Sequence, residues 1–210
     1  DPMASGVMLL LKNEQCKKQD EILKLMKNDD YFKGYRFKLI IGIETLSYDV
    51  LSNYIKIKNI KECHKHNLKQ SVKQILQEYN NTIFEQKFPP YSSIHVKNRK
   101  GERHPLWWWT KYNRLEEVTI PCKKVHIFKL KIIDMNYITI QSLSEKSIER
   151  IKNITHVGFN KNEVISKWDN IKNINCNLLE ISMDMSVSSG TYIRQFCHDI
   201  GKQLEYGGLA

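Results

Sequence analysis

Hydrophobic and polar positions alternate along residues 35–43 with the period of a strand. Tyr35, Phe37, Leu39, Ile41 and Ile43 fall on one face, Arg36 and Lys38 on the other. Residues 71–79 change to a helical period, with Val72, Ile75, Leu76 and Tyr79 at i, i+3, i+4 and i+7. Residues 123–133 read as a strand whose apolar phase slips between Ile127 and Phe128, which predicts a bulge there. Leu179, Ile181, Met183, Met185 and Val187 alternate through a long strand that Ser188, Ser189, Gly190 and Thr191 then break. From Tyr192 the period is helical again, with Ile193, Phe196, Cys197, Ile200 and Leu204 on one stripe, stopped by Gly207 and Gly208. Towards the start of the chain, Gly6 to Leu11 predicts a short apolar strand or buried segment. Asp20 caps a helix carrying Ile22, Leu23, Leu25 and Met26. Pro89 and Pro90 end any helix that precedes them. Strands and helices are interspersed without regular strand–helix–strand units, so the fold class is α+β with a mixed or antiparallel sheet.

A chain of 210 residues is one domain's worth, enough for a sizeable core, and 41% hydrophobic with 27% charged residues describes a soluble globular protein. The longest apolar runs, Val7 to Leu11 and Leu39 to Ile43, are far too short to span a bilayer. The net charge of +10 changes the picture more. It favours a polyanionic partner, nucleic acid first and an anionic membrane surface second. Five cysteines stand singly, which reads as reduced thiols in an intracellular compartment. Cys63, His64 and His66 put three possible metal ligands close together. No second cluster completes a site, so the segment reads as a polar surface loop and no metal is expected.

Two features could carry chemistry. Trp107, Trp108 and Trp109 cannot all face one core; in a strand the middle ring points away from its neighbours. Stacking on RNA bases is one reading, and packing at an interface or under a loop is the other, favoured one. The junction from Ser188 to Arg194 is more pointed. A Ser-Ser-Gly turn at a helix N-terminus offers backbone N–H groups that suit phosphate or carboxylate. Arg194, one turn in and beside the buried stripe, either seeks a carboxylate or phosphate partner or is a surface arginine.

Four stretches, in order along the chain, resemble the TruB family of tRNA pseudouridine-55 synthases. Asp1-Pro2-Met3-Ala4-Ser5-Gly6-Val7 is similar to the segment that holds the family's catalytic aspartate. The run from Tyr35 to Gly42, with Thr45, Ser47 and Asp49, resembles its second motif. Phe88-Pro89-Pro90-Tyr91-Ser92-Ser93 resembles a third. Ser189-Gly190-Thr191-Tyr192-Ile193-Arg194 with Asp199-Ile200-Gly201 resembles a fourth. The resemblance implies a pseudouridine synthase fold: a mixed sheet flanked by helices, with a central RNA-binding cleft. It implies isomerisation of uridine to pseudouridine in the tRNA T-arm by a monomer, without metal or organic cofactor. At matched positions it implies that Asp1 is the catalytic aspartate, Tyr35 the active-site tyrosine and Arg194 the arginine that pairs with that aspartate.

The chemistry suits these residue types. A carboxylate is a natural group for covalent or proton-transfer work beside a ribosyl centre. An arginine within hydrogen-bond reach keeps that carboxylate ionised despite burial. A tyrosine ring can stack on an extruded uracil, and extruding it costs a few kcal/mol. Lys97, Arg99, Lys100 and Arg103 are the candidates for phosphate contacts, with a solvated basic loop as the alternative.

The pattern also departs from the family's. Its first motif and its small C-terminal PUA-like domain are not in this sequence, so residues 1–210 read as a single catalytic domain of a larger enzyme, trimmed at both ends. His95 stands where the family has lysine, and the pair before Ile200-Gly201 is His198-Asp199. Two other readings stay open: a guide-RNA-dependent subunit of the same fold, and a non-catalytic RNA-binding or chaperone module that keeps the cleft.

Overall fold

A computed structural model describes residues 4–25, 32–155 and 159–210. Nine strands are described: β1 (Lys33–Ile41), β2 (Ile43–Thr45), β3 (Tyr54–Ile57), β4 (Thr82–Lys87), β5 (His95–Lys97), β6 (Arg103–Pro105), β7 (Cys122–Thr139), β8 (Asn177–Val187) and β9 (Gly208–Leu209). The α-helices are α1 (Gln19–Leu25), α2 (Lys65–Glu78), α3 (Leu106–Lys111), α4 (Ile140–Lys152), α5 (Lys161–Ile171) and α6 (Ile193–Gln203). Five strands make the main sheet in the order β4-β7-β8-β1-β9, and every described pairing in it is antiparallel. The fold is α+β, as the interspersed pattern predicts.

Alternation explains why the sheet can be covered on both faces. Leu39, Ile41, Ile181, Met183 and Met185 point to the side where Leu68, Val72 and Leu76 of α2 and Phe196 and Ile200 of α6 pack. Ile40 and Leu178 point the other way, to Leu143 and Ile151 of α4 and Val164, Trp168 and Ile171 of α5. Each such fully buried side chain contributes about 1.5–3 kcal/mol. A third, small cluster forms under the β5–β6 hairpin, where Val96, Leu106 and Trp109 are buried.

The predicted strand over 35–43 is divided at Gly42. Its φ of +109° lies where residues with a side chain rarely go, and a Cβ there would meet the Leu178 side chain and the Lys58 carbonyl. The chain turns, so Ile43 leaves the face it shares with Tyr35 on paper and joins the α4–α5 cluster instead. The predicted bulge is found, since the β7–β8 register shifts between Ile127 and Lys129. A second shift follows between Ile132 and Asp134.

Other expectations change. Val7, Met8, Leu9 and Leu10 are exposed and outside any strand, because an apolar run forms a ladder only beside a free strand edge and no described strand pairs with it. Asp20 lies inside the first turn of α1 rather than capping it, because a 3₁₀ turn over Asn13–Lys18 already leads in. The Cys63–His66 stretch is a helix entrance, a 3₁₀ turn over Glu62–His64 running into α2, rather than a loop. The three tryptophans lie on a helix, α3, not a strand. Steps of about 100° per residue bury Trp109, half-bury Trp108 and leave Trp107 41% exposed. Among the described residues no helix is long and apolar enough to cross a membrane.

Candidate active site

The site is built where α6 begins. Strand β8 ends at Val187, and Gly190, with φ +85°, turns the chain. Gln86 on β4, itself buried, fixes the next residue from both sides. Its amide Nε2 donates to the Tyr192 carbonyl (3.1 Å), and its Oε1 accepts from the Tyr192 N–H (2.8 Å). The Ser188 N–H donates to the His126 carbonyl and the Thr191 N–H to the Ser188 carbonyl. The amides of Ser188, Thr191 and Tyr192 thus already have protein acceptors, whereas among the described residues none accepts from those of Ser189 and Gly190. Gln86 escaped the sequence reading because a glutamine in a strand carries no signal of its distant partner.

Arg194, one residue into α6, is the cation presented here. Its Nη1 donates to the Ser47 carbonyl (3.1 Å) and to Asp49 Oδ2 (3.2 Å), and its Nη2 to the Tyr91 carbonyl (3.4 Å). Both partners of the ion pair are largely buried, Arg194 retaining 20% and Asp49 9% side-chain exposure. The carboxylate that Arg194 seeks is therefore supplied, among the described residues, by Asp49.

Asp49 is presented by a turn held together by its own side chains. Ser47 Oγ and the Leu51 N–H both donate to Asp49 Oδ1 (2.5 and 2.9 Å). Thr45 Oγ1 donates to the Asp49 carbonyl (2.6 Å), and Ser52 Oγ accepts from the Ser47 N–H (2.8 Å). Short hydroxyl and carboxylate side chains favour such local bonds over continued sheet, which is why the chain leaves β2 here. From outside, Trp168 Nε1 of α5 donates to the Val50 carbonyl (2.9 Å).

Arg194, Asp49 and Tyr91 line a cleft of about 450 Å³ together with Leu51, Phe159 and Glu163. The cleft combines an oriented guanidinium, apolar side chains and a few acceptors.

The remaining predicted residues fall as follows. Asp1 lies outside the described residues. Tyr35 sits on β1 opposite Met185, 37% exposed, and burial of its other part raises its hydroxyl pKa. It shares a face with Phe37, which packs edge-on to Phe196 of α6 at 6.5 Å, so Tyr35 and Arg194 belong to the same side of the sheet. Tyr35 does not line the cleft and is not bonded to Arg194. Lys97, Arg99, Lys100 and Arg103 are all exposed on the β5–β6 hairpin, with Lys97 and Arg103 directly paired. Buried Asn98 scaffolds the tip, accepting from the Lys100 and Glu102 N–H groups and donating to Glu102 and Glu117. Arg114 bridges Glu102 and Glu117.

Comparison with known proteins identifies the family. The model of the TruB family pseudouridylate synthase N-terminal domain matches residues 1–149. The chain is 27% identical over its full length to the tRNA pseudouridine synthase B of Malacoplasma penetrans, covering 66% of that protein. It is 28% identical over 97% of its length to that of Mycoplasma capricolum, covering 51% of it. With the Thermotoga maritima protein it shares 26% identity over its full length, covering 48%. The chain thus spans from about half to just under two-thirds of these relatives. The matched region carries the turn that presents Asp49 and the Tyr91 wall of the cleft, and it accounts for well over half of the residues: the chain belongs to the TruB family.

Proposed function

We propose that this chain isomerises uridine to pseudouridine in tRNA, at the T-arm position that the family resemblance implies, with the target base extruded into the Arg194 cleft. The observation that carries the reading is the buried Arg194–Asp49 pair at the wall of a cleft of about 450 Å³. An arginine neutralised on one edge by Asp49 stays in place without substrate, and its Nε is not engaged by any described residue. That leaves a donor for a second carboxylate, the role we assign to Asp1.

In the proposed reaction the C1′–N1 glycosidic bond breaks, the uracil turns, and a C1′–C5 bond forms. The C5 hydrogen then leaves as a proton and N1 gains one, so the net change is an isomerisation. Asp1 acts at the ribosyl centre or the base, and Arg194 holds its carboxylate ionised and oriented. Tyr35, outside the cleft but on the same side of the sheet as Arg194, with its ring half-exposed and its hydroxyl kept protonated, stacks on the base as it leaves its stack and before it enters the cleft. Lys97, Arg99, Lys100 and Arg103 grip phosphates while the base is out of its stack. No step calls on a metal or an organic cofactor, and an intracellular tRNA pool is the natural substrate.

Pseudouridine mapping by carbodiimide modification and reverse transcription on a tRNA transcript tests this reading. A new stop at the T-arm uridine, absent with Asp1→Asn, is expected. RNA binding without any stop, or an undiminished stop with Asp1→Asn, contradicts it.

A further inference from the structure

Two rings outside the proposed chemistry meet beside it. His198, on α6 one turn beyond Arg194, stacks on Tyr48 with centroids 3.8 Å apart and planes 11° from parallel. Tyr48 immediately precedes Asp49 and has φ +62°, a conformation that a residue with a bulky side chain keeps only when its surroundings impose it. The turn touches α6 through Arg194, which bonds Ser47 and Asp49, and through this stack. Residues four apart on a helix lie on one face, about 6 Å apart along the axis, so the contacts form two struts against the same turn. The Ala210 N–H adds a bond to the Tyr48 carbonyl (3.0 Å) from the β9 side.

We infer that the Tyr48–His198 stack is a positioning device, which locks the turn against α6 so that the Asp49 carboxylate meets the Arg194 guanidinium. Its catalytic consequence rests on the function proposed above; its effect on the turn does not. The groups facing the His198 ring are Tyr48, Glu44 of β2, whose Oε1 is 3.6 Å from Nδ1, and Asp199 and Lys202 of its own helix. Burial lowers the imidazole pKa and Lys202 pushes the same way, against Glu44 and Asp199, so at neutral pH the ring stacks as a neutral plane. Burial and the neighbouring Glu44 and Asp199 carboxylates push the Tyr48 hydroxyl up to about 12, so the other ring is neutral too.

A phenyl ring can replace the imidazole in such a stack, and a methyl group cannot. Amide hydrogen exchange at Ser47 and Leu51, whose N–H groups donate inside the turn, reads its order directly. With His198→Ala, exchange at both is expected to quicken by about tenfold or more, and with His198→Phe to stay within about twofold. Tyr48→Gly accepts the positive φ, so the fold is kept while the stack is lost, and the same loosening is expected. In tritium release from tRNA labelled at uridine C5, kcat is expected to fall about tenfold in His198→Ala with KM little changed, and His198→Phe to restore it. Unchanged exchange in both His198→Ala and Tyr48→Gly overturns the inference, as does a His198→Phe variant as loose as His198→Ala. An unmodified chain that releases no tritium sinks the proposed function, while exchange still decides the role of the stack.

Discussion

One oxygen of the Asp49 carboxylate accepts from Ser47 Oγ and the Leu51 N–H, and the other faces Arg194. Removing that carboxylate strands a guanidinium that is mostly out of water. Breaking a buried pair from one side costs about 3–5 kcal/mol, and the lower end applies because Arg194 keeps 20% of its side chain exposed. Asp49→Ala should therefore lower the urea unfolding free energy by about 3 kcal/mol, and a loss below about 1 kcal/mol contradicts the pairing. Half of this pair was legible in the sequence. An arginine beside a buried helical stripe leaves two readings, an anion-bound residue or a surface one, and the Asp49 pair selects the first. The arginine's partner lies 145 positions away, and no local spacing encodes a contact that only the β1–β8 sheet and α6 create. Gln86 and the Tyr48–His198 stack were invisible for the same reason: each is an ordinary residue until the fold supplies its neighbour.

Among the elements, β1, α2, β7, β8 and α6 follow directly from the period of their apolar positions, and the phase slip at Ile127–Phe128 marks a true bulge. Alternation read alone fails at Gly42, where backbone sterics outrank the pattern. Gly42→Ala forces a Cβ into a positive φ and against Leu178, so it should destabilise by at least about 1–3 kcal/mol by thermal or urea unfolding. A neutral substitution contradicts the division of the strand. The tryptophan run packs, as the favoured reading has it, but on a helix: the turn of α3 sorts the three rings by depth, where a strand would alternate them. Beside it, the Arg114 guanidinium lowers the Glu102 carboxyl pKa and brings Glu117 down to about 2. Carboxyls with a lowered folded pKa stabilise above their unfolded value, 4.5 here, and that stabilisation is lost as pH falls towards the folded value. The stability difference between the chain and Glu117→Gln, from urea midpoints at stepped pH, should be level above 4.5 and shrink towards about 2. A difference that grows on acidification reverses the sign and defeats the assignment.

Across the whole molecule, a net charge of +10 and an exposed hairpin bearing Lys97, Arg99, Lys100 and Arg103 suit a polyanion. Replacing any one of these with alanine should weaken tRNA binding and reduce the slope of log K against log salt by about one for each phosphate no longer neutralised. An unaltered slope in all four variants removes the hairpin from the interface. The family was legible in four ordered motifs. The cleft was not, because its walls come from the Asp49 turn, the Tyr91 segment, the start of α5 and α6, which no one-dimensional pattern joins. The central claim is that uridine isomerises in that cleft under the control of Arg194. Its most direct test is tritium release from tRNA labelled at uridine C5, comparing the chain with Arg194→Met, with filter binding measured in parallel. The account predicts release by the chain, release lowered at least about a hundredfold by Arg194→Met, and tRNA affinity kept within a few-fold. Release by Arg194→Met at the unmodified rate would place the chemistry elsewhere and contradict it.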